Sequence, residues 1–213
     1  MQRPDPIRAV VFDFDGLLAD TERAWELAQA AMFTSRGLVI GDTDRDLFLG
    51  TAVADTATIM AARFNEPQPD VLADLTQRAK DELHRNAPAM PGAAELLAGL
   101  RGRLPFAVAS NTPRELLDIA LHGSGLAPLI EVVVSADQVP NPKPAPDVYL
   151  QACALLGVEV SEAIAVEDSR PGTAAARAAG LWVAMIPSGA SEPSDAHAFV
   201  HSLRDPELLG WLA

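Results

Sequence analysis

Cysteine is almost absent from this chain of 213 residues, which contains only Cys153. A single cysteine cannot form a disulfide within the chain, and it cannot build a cysteine-rich zinc site. Cys153 lies in an apolar run at residues 149–156, where a free cysteine is usually a small buried hydrophobic residue. The fold is therefore expected to depend on an ordinary hydrophobic core, for which the 49% hydrophobic content is ample.

Basic residues are also scarce. The chain has 16 Lys and Arg against 29 Asp and Glu, a formal net charge of −13. Such a balance argues against a general affinity for nucleic acid or for anionic membranes, neither of which is expected as a partner. A phosphorylated ligand would need a local positive site, either a metal ion or a placed lysine.

Long apolar runs are missing as well. No segment reaches the roughly 18 apolar residues of a membrane span, and the N-terminal sequence has no export pattern. We therefore expect a soluble, cytoplasmic protein. A monomer and a weak dimer are both compatible with the sequence.

Short apolar runs bounded by turn residues recur along the chain and indicate strands that are buried on both faces. They lie at residues 9–12, 106–109, 131–134, 163–166 and 181–186. Helical segments separate the later ones, at 113–121, 145–156 and 172–179. Thr112 is the expected N-cap of the first helix, with Pro113 at its first position, and the other two end at glycine. The alternation predicts an α/β fold with a parallel sheet.

This alternation stops after Gly16. Helical spacing without a convincing strand follows, at residues 22–36, 51–64 and 69–85. Pro88, Pro91 and Gly92 then mark the return to the sheet. We predict an all-helical insertion at residues 17–89 and a core made of residues 1–16 and 90–213.

Polar residues follow four of the predicted strands, at the end of a parallel sheet where ligands bind. These groups are Asp13-Phe14-Asp15-Gly16, Ser110-Asn111-Thr112, Lys143-Pro144 and Glu167-Asp168-Ser169. Each group alone is compatible with a turn, a solvated charge or a helix cap. Together they place two acidic pairs, a hydroxyl and a lysine on one edge of the sheet.

This ordered set resembles the four motifs of the haloacid dehalogenase-like hydrolase superfamily, from Val10 to about Ile186. The branch with a small helical cap that includes β-phosphoglucomutase-like and phosphatase-like enzymes is the most similar. The resemblance implies a Rossmann-like core, an inserted helical cap, dependence on Mg²⁺ and an aspartyl-phosphate intermediate. It also implies a cis peptide bond between Lys143 and Pro144.

The resemblance assigns a role to each motif. Asp13 is the expected nucleophile and Asp15 the expected general acid and base. Lys143 and Ser110 are expected to hold phosphoryl oxygens, with Gly16 and Asn111 also at the substrate.

A cation is expected at the same place, because like charges about 4 Å apart repel by roughly 4 kcal/mol at an effective dielectric constant near 20. The expected Mg²⁺ ligands are the Asp13 and Asp168 carboxylates and the Asp15 backbone carbonyl. Glu167 would bind the ion directly or through water.

Three reactions known in the family must be separated. Dehalogenases need only the first aspartate, so Asp15 favours phosphoryl transfer. β-Phosphoglucomutases carry a Lys-Gly pair and an arginine in a cap loop, where this chain has Leu49-Gly50 and Val53, and Trp25 replaces a histidine. These departures favour a phosphatase, with the mutase and a non-catalytic sensor of phosphorylated ligands as alternatives.

The cap is expected to select the substrate. Its candidate contact residues are Thr21, Trp25, Phe48, Leu49, Gly50 and Thr51. Trp25 has a second interpretation as a core residue. Because the cap loop lacks cationic residues, we expect a small phosphorylated metabolite with one phosphate and a neutral or sugar-like body.

Overall fold

A computed structural model of the chain describes residues 2–48, 51–187 and 195–213. Its strands form one parallel sheet in the order β3-β2-β1-β4-β5-β6. They are β1 Ala9–Phe12, β2 Phe106–Ser110, β3 Val132–Ser135, β4 Ala163–Glu167, β5 Trp182–Met185 and β6 Ala198–Phe199. The first five match the predicted positions to within one residue, because buried parallel strands are continuous apolar runs. The two-residue strand β6 was not predicted.

The helices among the described residues follow the strands in the expected alternation. They are α1 Glu22–Thr34, α2 Asp42–Phe48, α3 Val53–Phe64, α4 Gln68–Leu83, α5 Ala93–Leu100, α6 Arg114–Gly123, α7 Asp147–Leu156, α8 Arg170–Ala179 and α9 Pro206–Trp211. The sequence did not indicate α2, α5 and α9, which have eight residues or fewer. None of the described helices has the length and hydropathy needed to cross a membrane.

The predicted N-cap of α6 is wrong. The N-cap residue is Pro113, whose side chain makes no cap hydrogen bond, and the Asp137 carboxylate accepts the Arg114 amide of the first turn at 2.9 Å. The Thr112 hydroxyl donates instead to the carboxylate of Asp15, 2.8 Å away. The two predicted glycine ends are confirmed, because Gly157 and Gly180 adopt left-handed conformations at the ends of α7 and α8.

Both faces of the sheet are covered, as an α/β fold requires. On one face Ala9 and Val11 of β1 pack with residues of α7 and α8, including buried Cys153. On the other face Val10 and Phe12 belong to a larger apolar cluster. That cluster continues through Phe14 to α1, α3 and α4, so the inserted helices share a core with the sheet. The predicted α/β fold with a Rossmann-like parallel sheet is confirmed.

Helices α1 to α4 lie between β1 and α5, and α4 packs against both α1 and α3. The described part of residues 17–89 contains no strand longer than an isolated bridge, in which Ala19 pairs with Ala89. Beside this bridge the Asp20 amide donates to the Pro88 carbonyl at 2.8 Å. The chain therefore enters and leaves the helical segment side by side. The division at residues 16/17 and 89/90 stays a prediction.

Candidate active site

The four predicted motifs meet at the carboxyl ends of three neighbouring strands. Asp13 follows β1, Ser110 is the last residue of β2, and Glu167 is the last residue of β4. Strands β2, β1 and β4 are adjacent and parallel, so their carboxyl ends lie at the same edge of the sheet. Lys143 reaches this edge from the loop before α7, and Asp168 follows Glu167.

The Lys143 ammonium lies between two buried carboxylates. Its Nζ is 2.5 Å from Oδ1 of Asp13 and 2.6 Å from Oε1 of Glu167. The side chain of Asn111 accepts from the Lys143 amide at 2.8 Å and donates to the Lys143 carbonyl at 3.1 Å. The peptide bond between Lys143 and Pro144 is cis, as the family resemblance implied. The lysine is thus fixed through both its backbone and its ammonium group.

Glu167 is fully buried and accepts five hydrogen bonds. The donors are Lys143 Nζ and the Tyr149 hydroxyl at Oε1, and the Asp168 amide, the Ser169 amide and the Ser169 hydroxyl at Oε2. The first turn of α8 approaches so closely that a Cβ on Gly172 would overlap both Glu167 oxygens. Only glycine fits at that position without moving Glu167.

Burial and neighbouring charges shift the pKa values of Asp13, Asp168 and Lys143. Burial raises the pKa of Asp13 to about 8. The charge of Lys143 opposes this shift, and the charges of Glu167 and Asp15 add to it. Burial and the charges of Asp13 and Glu167 also raise the pKa of Asp168. Burial by itself lowers the pKa of Lys143, but the charges of Asp13 and Glu167 outweigh it and hold the pKa above its usual value.

The donor atoms fit a hard metal cation. One carboxylate oxygen from each of Asp13, Glu167 and Asp168 lies within 4.8 Å of the others, and all three residues are buried. Three buried carboxylates face a single ammonium, so added positive charge is electrostatically favoured there. Hard divalent cations prefer such oxygen ligands. The acidic cluster could therefore hold a metal ion.

The Asp15 carboxylate is held by four donors, two from each side of the site. The Thr21 hydroxyl and the Trp25 indole donate to Oδ1, at 2.7 and 3.4 Å. The Ser110 and Thr112 hydroxyls donate to Oδ2, at 2.9 and 2.8 Å. Thr21 and Trp25 belong to the helical segment, whereas Ser110 and Thr112 belong to the core. Asp15 therefore joins the two parts of the site.

A cleft of about 320 Å³ opens over these groups. We call the side formed by the sheet edge the core wall; it consists of Asp13, Asp15, Asn111, Thr112, Lys143, Asp168 and Ser169. We call the opposite side the cap wall; it consists of Thr21, Glu22, Trp25, Glu26, Gln29, Arg45, Asp46, Phe48, Thr51, Val53, Thr56 and Leu75. A small molecule in the cleft would contact both walls.

Some predicted site residues lie elsewhere than expected. Ser110 is completely buried and does not line the cleft; its oxygen also accepts the Thr112 amide at 2.9 Å. Gly16 has a φ of +78°, and a Cβ there would overlap the Asp168 carboxylate, so close approach explains this glycine. Leu49 and Gly50 lie outside the described residues. The assignment of Ser110 and Gly16 to substrate binding stays a prediction.

Trp25 satisfies both interpretations that its sequence position left open. Its indole lines the cleft and donates to Asp15, and its ring also packs against the larger apolar cluster. Phe48 and Thr51 also line the cleft, as predicted from the cap loop.

Several residues of the site were not predicted from the sequence. Tyr149, the only tyrosine in the chain, sits in an apolar run that indicates nothing but a buried helix. Arg45 gives the cap wall a positive charge that the cap loop itself lacks. Gln29 and Thr56 are polar residues on helices whose burial could have been anticipated only from the packing of α1 against its neighbours.

Comparison with known proteins agrees with this geometry. The chain matches the family model for haloacid dehalogenase-like hydrolases over residues 10–186. It is 31% identical to hexitol phosphatase B of Escherichia coli K12, with 88% of this chain and 87% of that protein covered. It is 33% identical to SUPPRESSOR OF QUENCHING 1 of Arabidopsis thaliana, a chloroplastic protein, over 87% of this chain. The matched region is only 18% of the length of that relative.

A solved structure shows the same fold. The crystal structure of CbbY from Rhodobacter sphaeroides in complex with phosphate superposes with a TM-score of 0.80. The two chains are 27% identical, and the match covers 92% of this chain and 95% of the other. The family match spans all four motifs, and hexitol phosphatase B is matched over most of its length. The chain therefore belongs to the haloacid dehalogenase-like hydrolases and is a phosphoric monoester hydrolase.

Proposed function

We propose that this enzyme hydrolyses a small phosphate monoester, such as a sugar phosphate, with Mg²⁺ as cofactor and Asp13 as nucleophile. The observation that carries the proposal is the position of the Asp13 carboxylate. One oxygen is held by Lys143 at 2.5 Å, and the residue lines the cleft beside Asp15. Phosphoryl transfer depends mainly on such positioning and on neutralisation of charge.

The proposed metal ligands are the Asp13 and Asp168 carboxylates and the Asp15 backbone carbonyl. Bound Mg²⁺ would neutralise charge on the phosphoryl group and draw it toward Asp13. The five donors to Glu167 already occupy its roughly four lone-pair positions, which favours an indirect role for this residue. Glu167 would then act by its charge and by fixing Lys143.

The reaction would proceed in two displacements. In the first, an Asp13 oxygen attacks phosphorus, the ester P–O bond breaks, and Asp15 donates a proton to the departing alkoxide. In the second, Asp15 removes a proton from water, the water oxygen attacks phosphorus, and inorganic phosphate leaves Asp13. Lys143 would hold a phosphoryl oxygen in both steps, and Thr112 lies close enough to Asp15 to orient it.

Hydrolysis of p-nitrophenyl phosphate tests this mechanism. The wild type should release phosphate with Mg²⁺ and lose that activity in EDTA. Asp13→Asn should lower kcat by at least about 10⁴-fold without changing the circular dichroism spectrum, whereas Asp118→Asn on the surface of α6 should leave kcat unchanged. Substantial turnover by Asp13→Asn would refute the nucleophile assignment, and turnover independent of any metal would refute the cofactor.

Arg45 is the observation that favours the mutase alternative, because a cation on the cap wall could hold a second phosphate. However, Glu22, Glu26 and Asp46 lie on the same wall and oppose a second anion. We therefore prefer the phosphatase. Conversion of glucose 1-phosphate to glucose 6-phosphate without release of inorganic phosphate would overturn that preference.

A further inference from the structure

One face of helix α1 lines the cleft, beginning beside the reacting groups and continuing away from them. Glu22, Trp25, Glu26 and Gln29 all line the cleft, at the spacing of one helical face. Trp25 is in contact with Asp15, and Gln29 lies four residues further along the helix, about 6 Å at 1.5 Å per residue. Gln29 therefore faces the part of the cleft that the body of a substrate would occupy.

Gln29 and Thr56 are both buried, at 9% and 3% exposure. Within the described ranges, neither side chain makes a hydrogen bond to another residue, and the polar atoms of both remain accessible from the cleft that they line. Exposed residues of the same types do find partners: the Thr58 hydroxyl of α3 donates to the Ala54 carbonyl at 2.9 Å, and the Gln77 amide of α4 donates to Asp81 at 3.2 Å. A ligand in the cleft can therefore pair with these two side chains directly, replacing the water that would otherwise hydrate them.

The chemistry of the two side chains limits that ligand. An amide offers both donors and an acceptor, and a hydroxyl offers one donor and two acceptor positions. Alcohol hydroxyl groups complement both. The acidic residues Glu22, Glu26 and Asp46 outnumber Arg45 on the same wall, which disfavours a further phosphate or carboxylate.

We propose that Gln29 and Thr56 form a subsite for hydroxyl groups on the body of the substrate. The substrate is then the phosphate monoester of a polyhydroxylated alcohol without a second anionic group. This inference rests on the proposed phosphatase function and adds to it the two residues that recognise the body of the substrate. The enzyme should strongly prefer hydroxylated substrates over analogues without hydroxyl groups, because such an analogue leaves the polar groups of the subsite unpaired.

A pair of substrates of equal carbon number tests the subsite. Sorbitol 6-phosphate carries hydroxyl groups along its chain, whereas n-hexyl phosphate carries none. We expect wild-type kcat/KM to be at least about 100-fold higher for sorbitol 6-phosphate. A wild type that does not prefer sorbitol 6-phosphate, glucose 6-phosphate or ribose 5-phosphate over n-hexyl phosphate would overturn the inference.

Near-isosteric variants separate a binding role from a structural one. Gln29→Leu and Thr56→Val should each lower kcat/KM for the preferred polyol or sugar phosphate at least about tenfold, mainly through KM. Both should leave kcat/KM for n-hexyl phosphate within about threefold of wild type, and Thr56→Ser should restore the preference. The matched controls, Gln77→Leu and Thr58→Val, should leave kcat/KM unchanged for both substrates.

Equal losses on both substrates would refute the subsite, because they would indicate a structural effect. If Gln29→Leu does not fold, Gln29→Ala and Thr56→Val test the subsite instead, by the ratio of kcat/KM for the polyol phosphate to kcat/KM for n-hexyl phosphate. Loss of the proposed function itself gives a different pattern, in which the wild type with Mg²⁺ hydrolyses none of these esters and p-nitrophenyl phosphate is also untouched. Hydrolysis of p-nitrophenyl phosphate that requires Asp13, together with an unchanged ratio of kcat/KM between the two substrates in the variants, would refute only the subsite.

Discussion

The two walls of the cleft differ in how tightly other residues hold their polar side chains. On the core wall and directly behind it, Glu167 accepts five hydrogen bonds and Lys143 bridges two carboxylates at 2.5 and 2.6 Å. On the cap wall, the buried side chains of Gln29 and Thr56 have no hydrogen-bond partner among the described residues. The core wall meets the same phosphoryl group in every reaction, so its geometry can be fixed in advance. The cap wall meets the part of the substrate that varies, and Gln29 and Thr56 on this wall can form hydrogen bonds with it.

Asp15 belongs to the core wall and accepts hydrogen bonds from both the core and the helical segment. Its Oδ2 is bound by the core residues Ser110 and Thr112, and its Oδ1 by Thr21 and Trp25 of the helical segment. The orientation of the proposed acid and base therefore depends on contacts from both parts of the site. The comparison between the walls can be tested by removing single groups from each.

The largest effect is expected from Lys143→Met. The substitution leaves Asp13 and Glu167 buried without their cation, which should reduce the free energy of unfolding by about 3 to 5 kcal/mol. Lys80→Met is the matched control, because Lys80 makes an ion pair with Glu115 at 2.6 Å on the surface. That variant should lose at most about 1 kcal/mol. Urea unfolding in EDTA measures both, and equal losses would contradict the tight coupling of the core wall.

A smaller loss is expected from Gly172→Ala. The new Cβ would overlap the Glu167 carboxylate, so Glu167 or the start of α8 must move. We expect a loss of about 1 to 3 kcal/mol in the free energy of unfolding, together with reduced phosphatase activity. Gly99→Ala in α5 is the control, since nothing lies within 4 Å of its Cβ position. It should stabilise the protein by about 0.4 to 1 kcal/mol in thermal or urea unfolding, and a similar gain for Gly172→Ala would show that Glu167 adapts freely.

Thr112→Val should have a moderate effect, mainly on catalysis. Valine retains the shape but removes one of the two donors to Oδ2 of Asp15. A hydrogen bond to a charged group contributes about 1.5 kcal/mol or more, so kcat should fall about tenfold. Steady-state kinetics with p-nitrophenyl phosphate checks this, with Thr58→Val as the control. An unchanged kcat would mean that Ser110 alone orients this oxygen.

The smallest effect on stability is expected on the cap wall. Gln29→Leu removes a buried polar group that has no partner among the described residues, so the free energy of unfolding should stay constant or rise by up to about 1 kcal/mol. Urea unfolding without substrate measures it beside the Lys143→Met variant. A loss of more than about 1 kcal/mol would show that Gln29 supports the fold and would remove the contrast between the walls.

Much of the fold could be predicted from the sequence. The runs at residues 9–12 and 163–166 are apolar throughout, which is typical of strands covered on both faces. The active-site edge followed from the same runs, because Asp13 and Glu167 lie at the ends of two of them. Short elements such as α2 escaped prediction, since seven residues carry too little periodicity.

Contacts between distant segments could not be predicted in the same way. Thr112 has the sequence signature of a helix cap, yet its hydroxyl binds Asp15, 97 positions away in the chain. Tyr149 reaches Glu167 across the packing of α7 on the sheet. Which polar side chain of α1 meets the cleft depends on the rotation of that helix against α4, and the helical pattern alone does not fix that rotation.

The sequence by itself determined the order of the strands along the chain, the helical insertion after β1 and the acidic, hydroxyl and lysine motifs at the strand ends. These features depend on local composition, on continuous apolar runs and on the 3.6-residue period of helical side chains. The tertiary structure alone decided that Thr112 binds Asp15, that Glu167 is saturated with donors and that Gln29 and Thr56 face the cleft without partners. The contacts of Thr112 with Asp15 and of Lys143 and Tyr149 with Glu167 join residues far apart in sequence, so they exist only once packing on the sheet has brought the side chains together.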